Sequence, residues 1–467
     1  MFNRRKNKLM KGTHANLSKG FITGSEKTDW HNNALWFLRA KRDMQRDTIP
    51  DWEKLRATAA AIKDHTLSRL PEYLQRFEEN AIKNGIQVHW AWDDAELREI
   101  TASILRENNA KSVVKSKSML TEECGLNPYL EKEGFDVVDT DLGERIVQLR
   151  KEHPSHIVVP AIHLKKEEVS DTFHEKMNTE KGNSDPDYLA SAAREALRKD
   201  FMRADAAITG VNFGVAESGT VVVCTNEGNA DMGVHSKKTV IHCMGMEKLV
   251  PGYKELAVFT RLLARSATGQ PVTVFTSHYR KPRPETTEHI IIVNNKRTDI
   301  FEDPEFRQAM RCIRCGACMN TCPVYRRSGG HSYHHTVPGP IGSVLAPFYG
   351  KEKNKDLPFA STLCGSCNNV CPVKIDLAGL LYRWRQKLTD ETSPDLSKKI
   401  GMDIGSKILK SRTTYSLATR AFRWVPGSVL QSGLNPWNVT AKNGHKERIF
   451  PDVPGESFRE WYKKNQE

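Results

Sequence analysis

Seven of the chain's ten cysteines lie between residues 312 and 371, in two runs that share a spacing. The first is Cys312-Ile-Arg-Cys315-Gly-Ala-Cys318-Met-Asn-Thr-Cys322-Pro323. Its C-x2-C-x2-C-x3-C-P spacing is the bacterial ferredoxin pattern for cubane iron–sulfur clusters. Three closely spaced thiolates wrap one face of such a cluster, and the small Gly316 and Ala317 let backbone N–H groups approach its sulfurs. A structural zinc site usually gathers two separated ligand pairs around one tetrahedral ion. Four cysteines in eleven residues, with a second run downstream, fit that arrangement poorly. The second run is Ser361-Thr-Leu-Cys364-Gly-Ser-Cys367-Asn-Asn-Val-Cys371-Pro372, the same pattern with serine at the first ligand position.

In two-cluster ferredoxins the fourth cysteine of each run serves the other cluster. That rule assigns Cys312, Cys315, Cys318 and Cys371 to cluster 1, and Cys322, Cys364 and Cys367 to cluster 2, with iron bound through these cysteines. Cluster 2 is then one thiolate short. Three outcomes are open: Ser361 as an oxygen ligand, a 3Fe-4S cluster in place of 4Fe-4S, or a ligand from elsewhere, such as Cys124, Cys224 or Cys243. Cys224 and Cys243 sit in strand-like apolar runs, so small core residues is the stronger reading of these three cysteines. The shortfall predicts that cluster 2 is the more labile or the higher in potential.

Other groups carry weaker signals. His331-Ser-Tyr-His334-His335 lies between the runs, as a solvated loop or as a group that tunes a cluster or carries protons. Gly339-Pro-Ile-Gly342 is read as shaping the link between the runs. Asn212, Glu217, Asn226, Glu227 and Asn229 bracket the segment Phe213–Asn229, as turn residues or as the lining of a pocket at a strand end. The sequence assigns no catalytic residue. It holds no G-x-G-x-x-G after a strand, no P-loop, no H-E-x-x-H and no G-x-S-x-G. The C-x4-C-x2-C pattern of a plant-type two-iron cluster is also missing, which disfavours a succinate-dehydrogenase-like subunit.

The elements that must position these groups follow from periodicity. An amphipathic run from Thr48-Ile-Pro-Asp to about His65 reads as a helix with proline near its start. A second helix runs from about Pro71 to Asn84-Gly85. Strands are expected at Gly85–Ala91, Ser112–Lys115, Phe135–Asp139, Ser155–Pro160, Ala206–Gly210, Thr239–Cys243 and His289–Val293. Helices are expected between them at Asp94–Glu107, Asp187–Arg203 and Gly252–Ala267, an alternation that implies an α/β domain with a largely parallel sheet. Phe213–Asn229 reads as a hairpin with its turn at Glu217-Ser-Gly. After Asn294 the composition shifts to Cys, Gly and Pro, and an amphipathic helix begins at Leu377. The reading divides the chain into an N-terminal helical segment (1–70), an α/β domain (71–298), a mainly α two-cluster ferredoxin-like module (299–385) and a basic C-terminal segment (386–467).

Composition narrows the class. With 467 residues, 38% hydrophobic and 27% charged, two or three domains with ample cores are expected. The mean hydropathy of -0.56 and strand-sized apolar runs argue against membrane spans. No apolar stretch follows the basic N-terminus, so no secretory signal is expected, and clustered thiols then favour a metal or cofactor over disulfides. The net charge of +13 is uneven: residues 1–11 carry +5 and residues 381–467 carry +7, leaving +1 between. Such ends suit an acidic partner, an anionic membrane surface or a nucleic acid, or are simply solvated.

The stretch from Ile208 to Thr220, followed by Thr225-Asn-Glu-Gly-Asn229, resembles the domain shared by lactate utilization proteins B and C. Arg311–Tyr325, Gly339–Gly342 and Leu363-Cys-Gly-Ser-Cys367 together resemble the lactate utilization protein B family specifically, from about residue 20 to the end. Ser361 fits that family's pattern. The resemblance implies a cytoplasmic iron–sulfur electron carrier, working with two partner subunits, a cysteine-rich A-type and a C-type, in oxidation of L-lactate to pyruvate. It implies a sugar-phosphate isomerase/CoA-transferase-like fold for the α/β domain, with the basic ends available to an electron acceptor or the inner face of the membrane. Two other readings stay open: a subunit of another heterodisulfide-reductase-like redox complex and, with least support, an iron–sulfur sensor that binds nucleic acid.

Overall fold

A computed structural model describes residues 12–23, 25–391, 396–423 and 455–466 of the chain. The basic segment 1–11 and Pro451–Pro454 lie outside the described residues. The chain forms two units, 1–387 and 388–467.

The larger unit is built on a six-stranded, wholly parallel sheet. Numbered in chain order, its strands are β1 (Gln87–Ala91), β2 (Ser112–Lys115), β3 (Asp136–Asp139), β4 (Ala206–Gly210), β7 (Thr239–Gly245) and β10 (Thr287–Val293). They lie in the order β1-β10-β7-β4-β2-β3. β7 is buried along its whole length, as a central strand covered on both faces must be, which is why its sequence reads as a continuous apolar run. The helices Asp94–Glu107 and Leu126–Lys132 cover one face, where Leu97, Leu105, Leu126 and Leu130 pack on Val113, Ile208 and Ile291. On the other face Leu197 and Phe201, from the helix Pro186–Arg203, meet Val114, Val138 and Ala207. β3 and β4 leave β2 on opposite sides, so a topological switch point opens at the carboxyl end of β2.

The hairpin expected at Phe213–Asn229 forms. β5 (Phe213–Val215) and β6 (Thr220–Thr225) pair antiparallel, and join β8 (Leu249–Val250) and β9 (Phe275–Tyr279) in a second sheet ordered β8-β5-β6-β9. Its turn needs glycine for two reasons. Gly219 sits at φ +66, and a Cβ there would lie 2.3 Å from the backbone nitrogen of Ala81 in the helix Leu70–Lys83.

One expected strand is absent: Ser155–Pro160 is an irregular loop. Its apolar residues meet the cysteine module instead of a neighbouring strand, and its backbone bonds close locally, with Ser155 N–H on Pro160 O at 2.9 Å. β9 and the N-terminal helices His14–Ile22 and Ser25–Asp47 add to the elements read from sequence. The smaller unit holds the helices Leu396–Lys410, Arg412–Arg423 and Phe458–Lys464, the last opened by a Ser457–Glu460 capping box. Among the described residues no helix is long and apolar enough to cross a membrane.

Gly219→Ala is expected to lower stability by clearly more than Gly182→Ala, measured by urea unfolding. Gly182 also has positive φ (+79) but open space around it, so it reports only the ~1–2 kcal/mol of left-handed strain. Equal losses would show that the helix yields to the new methyl group.

Candidate metal centre and adjoining cavity

The two cysteine runs fold alike. Arg314 N–H donates to Cys312 Sγ (3.4 Å), and Leu363 N–H donates to Ser361 Oγ (3.1 Å). Arg314 and Leu363 both adopt positive φ (59° and 55°), followed by Gly316 and Gly365 at 75° and 76°. Each glycine starts a short helix, Ala317–Thr321 or Ser366–Val370, and each helix ends at a Cys-Pro pair. The two helices pack together, the Thr321 and Ser366 hydroxyls 2.5 Å apart. Ser361 therefore stands where Cys312 stands, with its oxygen accepting the equivalent backbone bond.

This packing brings the thiols together across the runs. Cys312, Cys315, Cys318 and Cys371 line one small space, closed by Ile157, Ile313, Ile341 and Val373. Cys322, Cys364 and Cys367 lie within electrostatic reach of one another, and Cys367 also acts on Cys318, so the two groups adjoin. Among the described residues no three ligand side chains converge on the point a single ion would occupy. Of the lone cysteines, Cys124 and Cys243 are packed in the core of the α/β domain and Cys224 lines a cavity at its strand ends.

The surroundings suit an anionic iron–sulfur group. Burial pushes Cys371 up to about 11 and Cys367 up to about 12, and raises Cys315, Cys318 and Cys322 as well. Thiols in this state give up protons when metal binds. Backbone N–H groups oppose the rise: Ile375 donates to Cys371 Sγ (3.3 Å), Tyr325 to Cys322 Sγ (3.5 Å), and Ile341 to Cys318. Beside Cys322 and Cys364 stands Arg326, its guanidinium 3.8 Å from the centre of the Trp36 ring, with Nε and Nη1 buried and unpartnered. A negative group held by those thiols would neutralise that charge.

Elements from elsewhere in the chain hold the runs in place. From the helix Trp52–Ser68, buried Arg56 donates through Nε to Cys371 O (2.8 Å) and through Nη2 to Asn368 O (3.0 Å). Arg42, on the helix Ser25–Asp47, reaches Val370 O (3.2 Å). In the Ser155–Pro160 loop, His156 Nδ1 accepts the N–H groups of Val158 and Val159, which leaves Nε2 to donate to Asn320 Oδ1 (3.0 Å). Burial depresses this imidazole to about 3, so it stays neutral. The histidines of the 331–335 segment are likewise placed. His331 Nε2 bonds His153 O at 2.7 Å, His334 meets Asp356 at 3.2 Å, and His335 Nδ1 accepts from Val337 N–H. Gly339 opens the helix Gly339–Leu345, whose Ile341 walls the four-thiol space. Arg42, Arg56 and His156 had no sequence signal, because isolated arginines and histidines far from a motif look like any others.

A cavity of about 310 Å³ lies at the carboxyl ends of the parallel strands, at the switch point beside β2. Lys117, Asp141, Gly210, Gly245 and Arg297 line it from the strand ends, Ile157 from the Ser155–Pro160 loop and Arg314 from the cysteine module. Ile157 thus walls both this cavity and the four-thiol space. Of the residues bracketing the hairpin, Asn212, Asn226, Glu227 and Asn229 line the cavity; Glu217 instead accepts the Tyr253 N–H (2.9 Å) at a helix start. Arg297 ties the region together, 2.5 Å from Glu247 Oε2 and 3.1 Å from Glu123 Oε1, while Tyr349 OH donates to the same Glu123 oxygen (2.7 Å). Burial alone would raise the Glu247 carboxyl, but Arg297, then Lys248 and Arg314, bring it down to about 2.

A LUD domain family matches residues 74–299, and a 4Fe-4S dicluster domain family matches residues 308–375. The chain is similar to lactate utilization protein B 1 of Bacillus mycoides, 41% identical over 439 residues, or 92% of this chain and 91% of the relative. It is 43% identical over 430 residues to lactate utilization protein B of Geobacillus thermodenitrificans, covering 90% of each. An Escherichia coli protein named uncharacterized electron transport protein YkgF is 40% identical over 443 residues, covering 93% of each.

Arg56→Met strips two backbone carbonyls of a buried cationic donor, at roughly 1.5–3 kcal/mol per bond. Iron release to a chelator is expected to be faster than in the unsubstituted protein, with Arg56→Lys intermediate; unchanged release would show the clamp to be idle. For Glu247 the folded value lies below the ordinary 4.5, so its stabilisation is complete above that pH and is lost as pH falls towards about 2. Glu247→Gln should lower stability at pH 7 by about 3 kcal/mol. The gap from the unsubstituted protein should shrink on acidification through that window, followed by urea unfolding; a pH-independent gap would refute the electrostatic account.

Proposed function

Because the chain belongs to the lactate utilization protein B family, we propose that it is the iron–sulfur electron-transfer subunit of an assembly that oxidises L-lactate to pyruvate. The observation that carries this reading is the crossed gathering of the cysteines, four around one space and three around the next. When bound, each of the two clusters takes up and returns single electrons. Cys312, Cys315, Cys318 and Cys371 hold the first, and Cys322, Cys364 and Cys367 the second, both of the 4Fe-4S type. Ser361 is the remaining ligand of the second, supported by the bond it shares in kind with Cys312.

The chain's own residues supply enclosure and charge balance. Apolar side chains exclude water from the four-thiol space, backbone N–H groups bond the sulfurs, and Arg326 offsets negative charge at the second site. Cys364 is exposed, so electrons leave or enter past the second site to a partner. The dehydrogenase activity belongs to the assembly, with the A-type cysteine-rich subunit and the C-type subunit as partners. The α/β domain is of the sugar-phosphate isomerase/CoA-transferase type. The protein works in the cytoplasm, its basic ends available to an acceptor at the inner membrane face.

Anaerobic reconstitution with both partner subunits tests this reading. Adding L-lactate should bleach the visible absorbance of the clusters and raise the EPR signal of the reduced state. Reduction by dithionite but never by L-lactate would overturn it. Ser361→Ala should leave the first cluster's signal intact and convert the second to a three-iron signal. Two unchanged four-iron signals would remove Ser361 from the ligand set.

A further inference from the structure

The cavity at the strand ends contains polar groups that nothing in the protein satisfies. Four cations line it, and two are fully engaged: Arg297 by Glu247 and Glu123, and Lys117 by Asp141 Oδ2 (3.0 Å) and Val158 O (2.9 Å). The other two are held more loosely, through longer-range attraction to Glu247. Lys248 Nζ makes no hydrogen bond or close ion pair among the described residues, and Arg314 Nη1 is buried without a hydrogen-bond partner. The nearest acid to Arg314, Glu123, stands 3.9 Å away and is already shared by Arg297 and Tyr349. Thr225 Oγ1, also in the lining residues, is buried and unpartnered too.

Asp141 and Glu227 stand in the lining with Lys117, while Lys248, Arg297 and Arg314 outnumber Glu123 and Glu247 by one, with apolar walls from Leu120, Val223, Leu263 and Ala264. Its volume is ample for a small organic acid. A buried cationic donor left without a hydrogen-bond partner, as Arg314 Nη1 is, carries a penalty of about 1–3 kcal/mol, which a bound anion would relieve. The site lies where open α/β sheets bind ligands, outside the carboxyl ends of the strands at a switch point.

We propose that this cavity binds a small 2-hydroxy or 2-oxo carboxylate, its carboxylate between Arg314 and Lys248 and its carbon skeleton against Leu263 and Ala264. The choice of acid rests on the lactate-utilization reading; the choice of an anion rests on Lys248, which has no close partner, and on the unbonded Nη1 of Arg314. Ile157 separates the bound acid from the four-thiol space, so its arrival is felt at the first cluster and not at the second. Arg314 also lies beside Cys312, where it would offset cluster charge, so the deciding variants leave it in place.

The cluster-loaded chain, without partners, is titrated by calorimetry with L-lactate, pyruvate and inorganic phosphate in turn, and EPR spectra of the reduced clusters are taken at each end point. L-lactate or pyruvate should bind saturably and shift one cluster's spectrum only. Lys248→Gln and the charge-preserving filler Ala264→Phe should each weaken binding at least tenfold, about 1.4 kcal/mol. The proposal fails if neither carboxylate binds at up to about 10 mM, well above common KM values. It fails equally if only phosphate binds, or if both variants bind as tightly as the parent. These outcomes are independent of cluster reduction in the reconstituted assembly, so this site and the electron-transfer reading stand or fall separately.

Discussion

The structure depends on an exchange: neither cysteine run gathers its thiols from its own residues alone. Cys371 closes the space begun by Cys312, Cys315 and Cys318, while Cys322 stands with Cys364 and Cys367. The chain between the runs must therefore fold back on itself, and the helix Gly339–Leu345 sits inside that return with Ile341 against Cys318. Two short helices packed hydroxyl to hydroxyl at Thr321 and Ser366 fix the spacing between the two sites.

So small a module cannot shield buried thiols by itself, and the rest of the unit does the enclosing. Arginines from two N-terminal helices hold the backbone of the second run, and the loop Ser155–Pro160 closes over the first. Arg297, Glu123, Glu247 and Tyr349 then join the ends of two strands to the cysteine module through buried charge-assisted bonds. Each charge in this group has a partner, which is the condition under which burying it is tolerable. The consequence is a single unit in which the strand-end cavity and the first thiol set share a wall.

Much of this was legible in advance where the signal was local. The helix Asp94–Glu107, the strand Ala206–Gly210 and the turn at Gly219 depend on neighbours a few residues away, and periodicity found them. The Ser155–Pro160 loop misled for a definite reason: the β-branched run Ile157-Val158-Val159 marks burial, and burial against a cluster module looks the same in sequence as burial in a sheet. β9 was missed because its residues alternate weakly at the edge of the second sheet, its burial partial along most of its length.

Taken alone, the sequence determined the thiol spacing, the missing eighth cysteine and the alternation that makes a parallel sheet, because each is a property of neighbouring residues. Only the tertiary structure decided that Ser361 Oγ accepts the same kind of backbone bond as Cys312 Sγ, that Arg42, Arg56 and His156 brace the runs, and that Lys248 and Arg314 face a cavity. Those relations join residues tens to hundreds of positions apart. Whether a buried charge is paired or left over depends on which distant side chains the packing brings within about 4 Å, and no spacing along the chain records that.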